Sequence, residues 1–367
     1  MKHQIALVGG QVLPIFLGVK EYCPDRVHFI VTNESNTKLE YLCDALDGLE
    51  ISSYVCNPYD VNEIKNICET IINKCSEGDE VNFNLTGGTK LMLIAAQAVL
   101  SENGLNGFYV NIGNVVTHIP SFTQSNLAYK ISTEDFLKLS GHIISSSRSL
   151  ESYTKADLEV AKAIQLFSDE GQLFSLITQN FRENKNKKKK NGEEVVNKQY
   201  AYSWCPGKVT VKSAGEKDRI FESQDAKGLF FYGGWWELLV ASALSRWDSS
   251  QEILMGLTFP FKSDLKISKN EVDVLINRNN KLIFVECKSG VVMAQDINKI
   301  NAIRDIYGGN ASKSILVCQH KPDRKLFEKC KEFSIEVFYM IGEVPGDVRS
   351  FEELIADLNL LDKKLSL

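Results

Sequence analysis

Hydrophobic positions in the first 130 residues form short apolar runs that alternate with amphipathic stretches. The apolar runs predict strands at residues 5–8, 27–32, 51–56, 81–85 and 107–112. The amphipathic stretches predict helices at about 36–47, 61–75 and 89–102. Strands that alternate with helices form βαβ units, which assemble into a mostly parallel sheet covered on both faces. We therefore predict an α/β fold with a Rossmann-like parallel sheet for this part of the chain.

The carboxyl ends of these strands predict a ligand site, because ligands of parallel sheets bind beyond those ends. The ends are rich in Gly, Asn, Thr and Ser and poor in acids. In the loop 86–90, two glycines expose backbone N–H groups where a helix begins, and Thr89 can cap that helix. This combination can make a cradle for an anion or phosphate, but composition alone favours the alternative, an ordinary glycine turn with a helix cap. Neither a Walker A loop nor a Gly-x-Gly-x-x-Gly loop is present.

Two runs with period-two alternation, residues 270–276 and 281–288, predict a β-hairpin in the C-terminal third. The intervening Asn279 and Asn280 tolerate positive φ, which suits a two-residue turn. That turn sets Asp273 opposite Glu286, on one face of the hairpin. Facing carboxylates repel unless a cation lies between them. The pattern therefore predicts a divalent-metal site with Lys288 beside it, and the alternative is a set of solvated charges on the wet face of an antiparallel pair.

The surroundings of the hairpin favour the site over solvated charges. Leu275, Leu282 and Phe284 share the face with the acids, so the face is only partly polar. Upstream, helical spacing aligns Glu237 with an apolar stripe that a lone acid should avoid. Downstream, residues 295–307 predict a helix that carries Asp296, Lys299 and Arg304. The predicted order is a helix, three strands, a helix and a strand.

These residues resemble the PD-(D/E)xK nuclease superfamily, whose core is an αβββαβ unit of the restriction-endonuclease type. The matching residues are Asp273, followed by Glu286-Cys287-Lys288, with Glu237 as the upstream helical acid. The resemblance implies that Asp273 and Glu286 ligate Mg²⁺ or Mn²⁺ with help from the Cys287 carbonyl. It implies that Lys288 orients or helps to deprotonate the attacking water, and that Glu237 supports a second metal or its waters. Hard cations on oxygen ligands suit phosphodiester hydrolysis.

The segment Asn84-Leu85-Thr86-Gly87-Gly88-Thr89-Lys90 resembles the signature of CRISPR-associated Rossmann-fold (CARF) sensor domains. Joined to a PD-(D/E)xK domain, it is similar to the ancillary effector nucleases of type III CRISPR systems. The resemblance implies a twofold homodimer that binds a cyclic oligoadenylate. Two nucleotides per subunit suit a cyclic tetra-adenylate, and a ring of six stays open. The implied ring-binding residues are Gly9, Gly10, Gln11, Thr86, Gly87, Gly88, Thr89 and Lys90, followed by Asn33, Ser35 and Asn111.

We divide the chain into a sensor domain at 1–145, a helical linker or spacer at 146–200 and a nuclease domain at 201–367. The Ser-rich stretch 140–149 reads as the start of the linker. Residues 157–179 predict a helix interrupted at Gly171, which either transmits a signal or packs as a spacer. A run of lysines at 185–190 predicts a mobile solvated loop or, alternatively, an element that follows nucleic-acid phosphates.

Composition limits the remaining choices. The net charge of −5 excludes a generally polycationic protein, so contact with nucleic acid must use a local patch. Nine cysteines, an odd number without Cys-x-x-Cys, indicate reduced thiols. No apolar stretch reaches about 18 residues, so we expect a cytoplasmic location without a membrane segment. We expect an endonuclease that a cyclic oligoadenylate activates, acting on DNA, with RNA as a second candidate substrate. The alternatives are a restriction- or repair-type nuclease without such gating, and a ligand-responsive module that binds nucleic acid without cutting it.

Overall fold

The computed structural model describes residues 1–365 except 112, 186, 248–249, 262–263, 310–311 and 345. For residues 250–251, 264–269 and 362–365 it describes the backbone alone. The chain divides into two compact units, and the second begins at Ile144. In the described part of the chain, every helix is too short or too polar to cross a membrane.

The first unit is built on a seven-stranded sheet with the order β3-β2-β1-β4-β5-β6-β7. Its strands are β1 (Lys2–Leu7), β2 (Arg26–Val31), β3 (Glu50–Val55), β4 (Glu80–Asn84), β5 (Asn106–Val110), β6 (Val115–Ile119) and β7 (Gln124–Asn126). Its helices are α1 (Leu13–Tyr22), α2 (Asn36–Ala45), α3 (Val61–Asn73), α4 (Lys90–Glu102) and α5 (Thr133–Lys138). The first five strands are parallel, and β6 and β7 continue the sheet as an antiparallel hairpin.

The apolar runs form the central strands because both faces of the sheet are covered. Ile5, Leu7 and Phe83 are fully buried and pack with residues of α3 and α4. The predicted strands and helices of this unit are confirmed to within three residues of their ends. Residue 112, the predicted end of the fifth strand, lies outside the described residues. Helix α1 was not predicted, because nearly all of its positions are apolar and no helical period stands out.

The second unit contains a six-stranded sheet with the order β17-β16-β15-β14-β13-β8 and a four-stranded sheet with the order β12-β11-β10-β9. Its strands are β8 (Ser146–Ser149), β9 (Gly192–Val195), β10 (Tyr200–Cys205), β11 (Lys208–Ser213), β12 (Arg219–Glu222), β13 (Ser250–Phe261), β14 (Asp264–Arg278), β15 (Lys281–Lys288), β16 (Lys313–His320) and β17 (Ile335–Ile341). Its helices are α6 (Lys155–Asp169), α7 (Leu173–Glu183), α8 (Ala226–Tyr232), α9 (Gly234–Leu244), α10 (Ala294–Tyr307), α11 (Arg324–Glu332) and α12 (Phe351–Leu365), with a 3₁₀ turn at Leu150–Ser152.

The predicted αβββαβ order is confirmed as α9, β13, β14, β15, α10 and β16. The β14–β15 hairpin has the predicted register, in which Val274 pairs with Val285 and Leu275 pairs with Phe284. Its turn residues Asn279 and Asn280 have φ of 50° and 59°. A turn with two left-handed residues matches the twist of the flanking strands, so the Asn-Asn pair fixes which side chains face each other.

Residues 146–200, which we assigned to a helical linker or spacer, lie within the second unit. Strand β8 pairs with β13 at the edge of the six-stranded sheet. Ile164 of α6 and Phe181 of α7 are fully buried in the same core as Trp235. The helices predicted within 157–179, interrupted at Gly171, do form, and their apolar faces pack in the core of the second unit. The four-stranded sheet β9–β12 was not predicted.

Candidate active site and candidate ligand pocket

The acids predicted from the hairpin and the upstream helix converge in the second unit. Asp273 and Glu286 directly adjoin Val274 and Val285, a pair of the β14–β15 register. The Cys287 N–H donates to Asp273 Oδ2 at 2.7 Å, which ties the two strands together at this point. Glu286 is only 2% exposed, and its Oε1 lies 2.9 Å from Lys288 Nζ. Glu237 projects from α9 and is half-buried. It lies close enough to Asp273, Glu286 and Lys288 to interact with them electrostatically.

Burial and mutual repulsion hold two of these carboxyls away from their ordinary ionisation. Burial raises the pKa of Glu237 to about 8, and the negative charges of Asp273, Glu271 and Glu286 add to the effect. Burial and then the Glu286 charge also raise the pKa of Asp273, and the Cys287 N–H opposes part of that shift. Perturbed carboxyls of this kind are concentrated at functional sites. The group is therefore costly for the fold unless a cation joins it.

Lys288 serves this cluster as a fixed positive charge. Burial lowers its pKa, but the Glu286 carboxylate outweighs burial and, with Asp296, leaves the pKa raised. Lys288 Nζ also lies 3.3 Å from Asp296 Oδ1, at the start of α10. Asp296 in turn accepts the Met293 N–H at 2.8 Å and caps the helix. An ammonium with a raised pKa orients water or phosphate, and it does not act as a neutral base near pH 7.

Lys299 was placed on α10 by the sequence but was not assigned to the site. Its Nζ lies 3.1 Å from Glu286 Oε2 and 3.3 Å from Glu286 Oε1. The sequence signal is weak: Lys299 lies three positions after Asp296, which sets both residues on one face of the helix. Glu286 is therefore held by two lysines.

The donor set fits a hard divalent cation. The oxygen donors of the hairpin are Asp273 and Glu286, and Glu237 lies close enough to interact electrostatically with both. Lys288 and Lys299 contact Glu286, Asp296 contacts Lys288, and the Glu271 charge acts on Glu237. Mg²⁺ commonly binds through one or two carboxylates and retains waters. Burial keeps the Cys287 thiol neutral by raising its pKa, so this residue can offer only its carbonyl. Among the residues that the structure describes, no three His, Cys, Asp or Glu side chains already form a ligand cluster.

A cavity of about 210 Å³ lies beyond the carboxyl ends of β1, β2 and β4 in the first unit. Its lining includes five predicted residues, namely Gly9, Gly10, Ser35, Gly88 and Thr89. It also includes Val8, Thr32, Glu34, Lys38 and Met92.

The close approach of two loops shapes this cavity. A Cβ on Gly9 would lie 2.7 Å from the Gly88 backbone N, and Gly88 itself has φ of +77°. Lys38, which the sequence did not single out, extends from α2 and donates from Nζ to the Gly10 carbonyl. The Lys38 ammonium and the glycine backbone groups are elements of an anion site, and Glu34 adds one carboxylate to the same lining.

Other predicted ring-binding residues support the loops. Thr86 Oγ1 accepts the Val110 N–H at 2.9 Å, and a Cβ on Gly87 would lie 2.0 Å from the Leu7 carbonyl oxygen. Asn111 Oδ1 accepts two backbone N–H groups in the β5–β6 turn. Gln11, Asn33 and Lys90 are exposed and do not line the cavity.

The hydroxyls of two lining residues already have partners. Thr89 Oγ1 accepts the Met92 N–H at 3.2 Å and donates to the Pro58 carbonyl at 3.1 Å. Ser35 is 5% exposed, and its Oγ accepts the Thr32 N–H at 2.9 Å. Thr89 therefore caps α4 as predicted, and Ser35 fixes the loop after β2.

Hydrogen bonds from two distant side chains hold the backbone of the lysine run at 185–190. Lys227 Nζ donates to the carbonyls of Lys187 and Lys189, both at 2.9 Å, and Trp204 Nε1 donates to the Lys189 carbonyl at 3.1 Å. Lys188, Lys189 and Lys190 nevertheless expose their side chains. Tethered carbonyls disfavour the freely mobile loop, and a role in following phosphates stays a prediction. Residue 186 lies outside the described residues.

Two family models match the chain. Residues 4–136 match the model described as the Card1 CARF domain, and residues 224–351 match the Card1-like endonuclease domain. These matches confirm both resemblances read from the sequence and the two-domain α/β fold. A comparison with curated proteins gave no match.

Several solved structures share the fold. Can2 from Sulfobacillus thermosulfidooxidans, solved with cyclic tetra-adenylate, is 19% identical with a TM-score of 0.70 over 98% of this chain and 99% of that chain. VC1899 from Vibrio cholerae is 17% identical with a TM-score of 0.73 over 99% and 98%. A type III CRISPR defence DNA nuclease activated by cyclic oligoadenylate is 17% identical with a TM-score of 0.63. The match covers 97% of this chain but 51% of that nuclease.

Proposed function

Because this chain belongs to the Card1 family, in which a CARF domain accompanies an endonuclease domain, we propose that it is a metal-dependent endonuclease activated by a cyclic oligoadenylate. Its role would be that of an ancillary effector in type III CRISPR defence. The observation that carries the proposal is the convergence of Asp273, Glu286 and Lys288 within one hairpin. Exposed charges on a wet strand face would not have Glu286 at 2% exposure.

The residues of the hairpin divide the hydrolytic work. Asp273, Glu286 and the Cys287 carbonyl would hold Mg²⁺ or Mn²⁺, and such an ion neutralises phosphate charge and lowers the pKa of water. Lys288, held between Glu286 and Asp296, directs its ammonium toward water or phosphate at the same point. Glu237 would support a second cation or the waters of the first. The burial of these acids limits the access of bulk water, and this strengthens each of the electrostatic contacts.

We propose a cyclic tetra-adenylate as the activator. The cavity beyond β1, β2 and β4 offers the Lys38 ammonium and the glycine loops at 9–10 and 87–88. These groups suit the phosphates of a nucleotide ring. In a homodimer, each subunit would supply one such cavity, so two nucleotides of the ring would meet each subunit. A structurally similar protein, Can2, was solved with this ring, which supports the choice.

Activation would be a shift between two states of the dimer. The ring favours the active state only by the difference between its affinities for the two states. DNA is the proposed substrate, with RNA as the second, and a structural neighbour that is a DNA nuclease supports that order. All nine cysteines are free in the structure, which suits the reducing cytoplasm as the site of action.

The test is a cleavage assay with plasmid DNA, single-stranded DNA and RNA. Each substrate is incubated with Mg²⁺, Mn²⁺ or EDTA, with and without cyclic tetra- or hexa-adenylate. We expect cleavage that requires both a metal and the ring. Lys38→Ala should raise the ring concentration needed for half-maximal cleavage about tenfold, the value of one charge-assisted hydrogen bond. Lys90→Ala, an exposed lysine outside the cavity, should raise it less. Cleavage that is equal with and without either ring would contradict the proposed gating.

A further inference from the structure

We propose that Lys299 contacts the scissile phosphate of the substrate, after releasing the Glu286 carboxylate that it holds in the free protein. The inference rests on the proposed nuclease function and adds a residue to it. Lys299 lies outside the acid-and-Glu-x-Lys pattern, on the helix α10 that follows the hairpin.

The first observation is an excess of cationic partners on one carboxylate. Glu286 is 2% exposed, and both of its oxygens are taken: Oε1 lies 2.9 Å from Lys288 Nζ and Oε2 lies 3.1 Å from Lys299 Nζ. Glu286 is thus contacted by two ammonium groups, and Lys299 also interacts electrostatically with Asp273. One ammonium suffices to neutralise Glu286, so the other can exchange this carboxylate for another anion.

The second observation is that the two lysines are held differently. Lys288 is 27% exposed and has a second carboxylate, Asp296, at 3.3 Å. Lys299 is 38% exposed, and the hydrogen bonds described for its Nζ both go to Glu286. A lysine carries its charge on a flexible four-carbon stem, so its ammonium can move several ångströms with little rearrangement. Lys299 is therefore the partner that can leave.

The displacement follows from charge. When Glu286 lends its oxygens to a divalent cation, the two ammonium groups beside it are repelled by that cation. Lys288 keeps Asp296 as a partner, whereas Lys299 loses its hydrogen bonds to Glu286. The nearest new anion is the phosphodiester that the same cation attracts, and a lysine binds phosphate well as a point charge. Lys299 would then hold a non-bridging oxygen as the bond is cut.

The test compares Lys299→Gln, Lys299→Arg and Lys331→Gln with the unsubstituted protein, in saturating cyclic tetra-adenylate and Mg²⁺. Lys331 is a matched control, since it also pairs with a glutamate, Glu328, at 2.9 Å on the neighbouring helix. We expect Lys299→Gln to raise the KM for DNA about tenfold. It should also lower the slope of log affinity against log salt by about one. Lys299→Arg should restore most of the affinity, and Lys331→Gln should change neither quantity. If Lys299→Gln lowers only kcat or the melting temperature, Lys299 merely neutralises Glu286 and the proposal is wrong.

A second arm needs no cleavage and so remains decisive if the proposed activity fails. DNA binding is measured by fluorescence anisotropy in EDTA for Glu286→Gln, Lys299→Gln and the double variant. Removing the Glu286 charge frees Lys299, so Lys299→Gln should weaken binding about tenfold in that background and little in the native one. Equal effects of Lys299→Gln in both backgrounds would overturn the inference.

Discussion

The acid cluster around Glu286 and the cavity beyond β1, β2 and β4 are built differently. In the acid cluster, charged side chains from α9, β14, β15 and α10 surround Glu286, and their charges are only partly compensated. In the cavity, which we call the sensor cavity, two glycine loops in close contact form part of the lining, and Lys38 and Glu34 are its charged residues. A site that depends on charged side chains should lose its function when one of those groups is removed. A site that depends on close backbone contacts should be disturbed when an atom is added between them.

The largest effect should come from removing a functional group in the side-chain site. We expect Glu286→Ala to lower kcat by more than about 100-fold, the scale seen when one electrostatic contact to a transition state is lost. Ring binding should be unchanged, since it uses the other unit. Cleavage products on gels and calorimetric titration with cyclic tetra-adenylate measure the two quantities. Retention of most of the cleavage activity would show that Glu286 is not part of the hydrolytic site.

The next effect should come from adding an atom to the backbone site. A Cβ on Gly9 would lie 2.7 Å from the Gly88 backbone N, a contact that requires one of the loops to move. Gly9→Ala should therefore destabilise the sensor unit by about 1–3 kcal/mol, as overpacking does, and weaken ring binding. Gly10→Ala is the matched control, because its Cβ would meet only Lys38 Nζ, at 3.8 Å.

Thermal unfolding without ligand measures this pair of variants. We expect a lower melting temperature for Gly9→Ala and an unchanged one for Gly10→Ala. Equal melting temperatures would mean that the close contact of the two loops does not constrain residue 9, and the backbone description of the cavity would be wrong.

These two sites also differ in how far the sequence predicts them. The sequence predicts the paired acids of the hairpin, because Asn279 and Asn280 fix the register and alternation then places Asp273 opposite Glu286. Lys38 and Lys299 were missed because each is a long side chain on a helix that reaches across to another element. No sequence spacing records such a reach.

The fold shows the same division between local and distant signals. Strong alternation of apolar runs and amphipathic helices predicted most of the first unit. The sequence did not show what residues 146–200 pack against, because Ser-rich composition is a local signal, whereas the residues that bury Ile164 and Phe181 lie far along the chain. Thr86 and Asn111 were predicted to bind the ring, but in the structure their side chains accept hydrogen bonds from backbone groups of neighbouring residues.

The smallest effect we predict is a pH dependence of stability without metal. Glu237 has a pKa of about 8 in the folded protein against an ordinary 4.5, so between those values the folded state keeps a proton that the unfolded state has lost. Folding is then progressively disfavoured as pH rises. The melting temperature in EDTA should fall by a few degrees between about pH 5 and pH 8.

Two comparisons assign that slope to the acid cluster. Glu237→Gln should make it shallower, because an amide does not titrate, while Asp273, whose pKa is also raised, accounts for the remaining slope. Mg²⁺ should oppose it, because a cation that binds the ionised carboxyls stabilises the folded state more as pH rises. A slope that is the same in Glu237→Gln would assign the effect to other groups, and the sharing of charge around Glu286 would need revision.

The most direct measurement of the central claim is cleavage of plasmid DNA in Mg²⁺ with and without cyclic tetra-adenylate, for the unsubstituted protein and for Lys288→Ala. We predict rapid cleavage only by the unsubstituted protein and only with the ring, while both proteins bind the ring equally. Ring-independent cleavage, or full activity in Lys288→Ala, would contradict the assignment of a gated hydrolytic site to this chain.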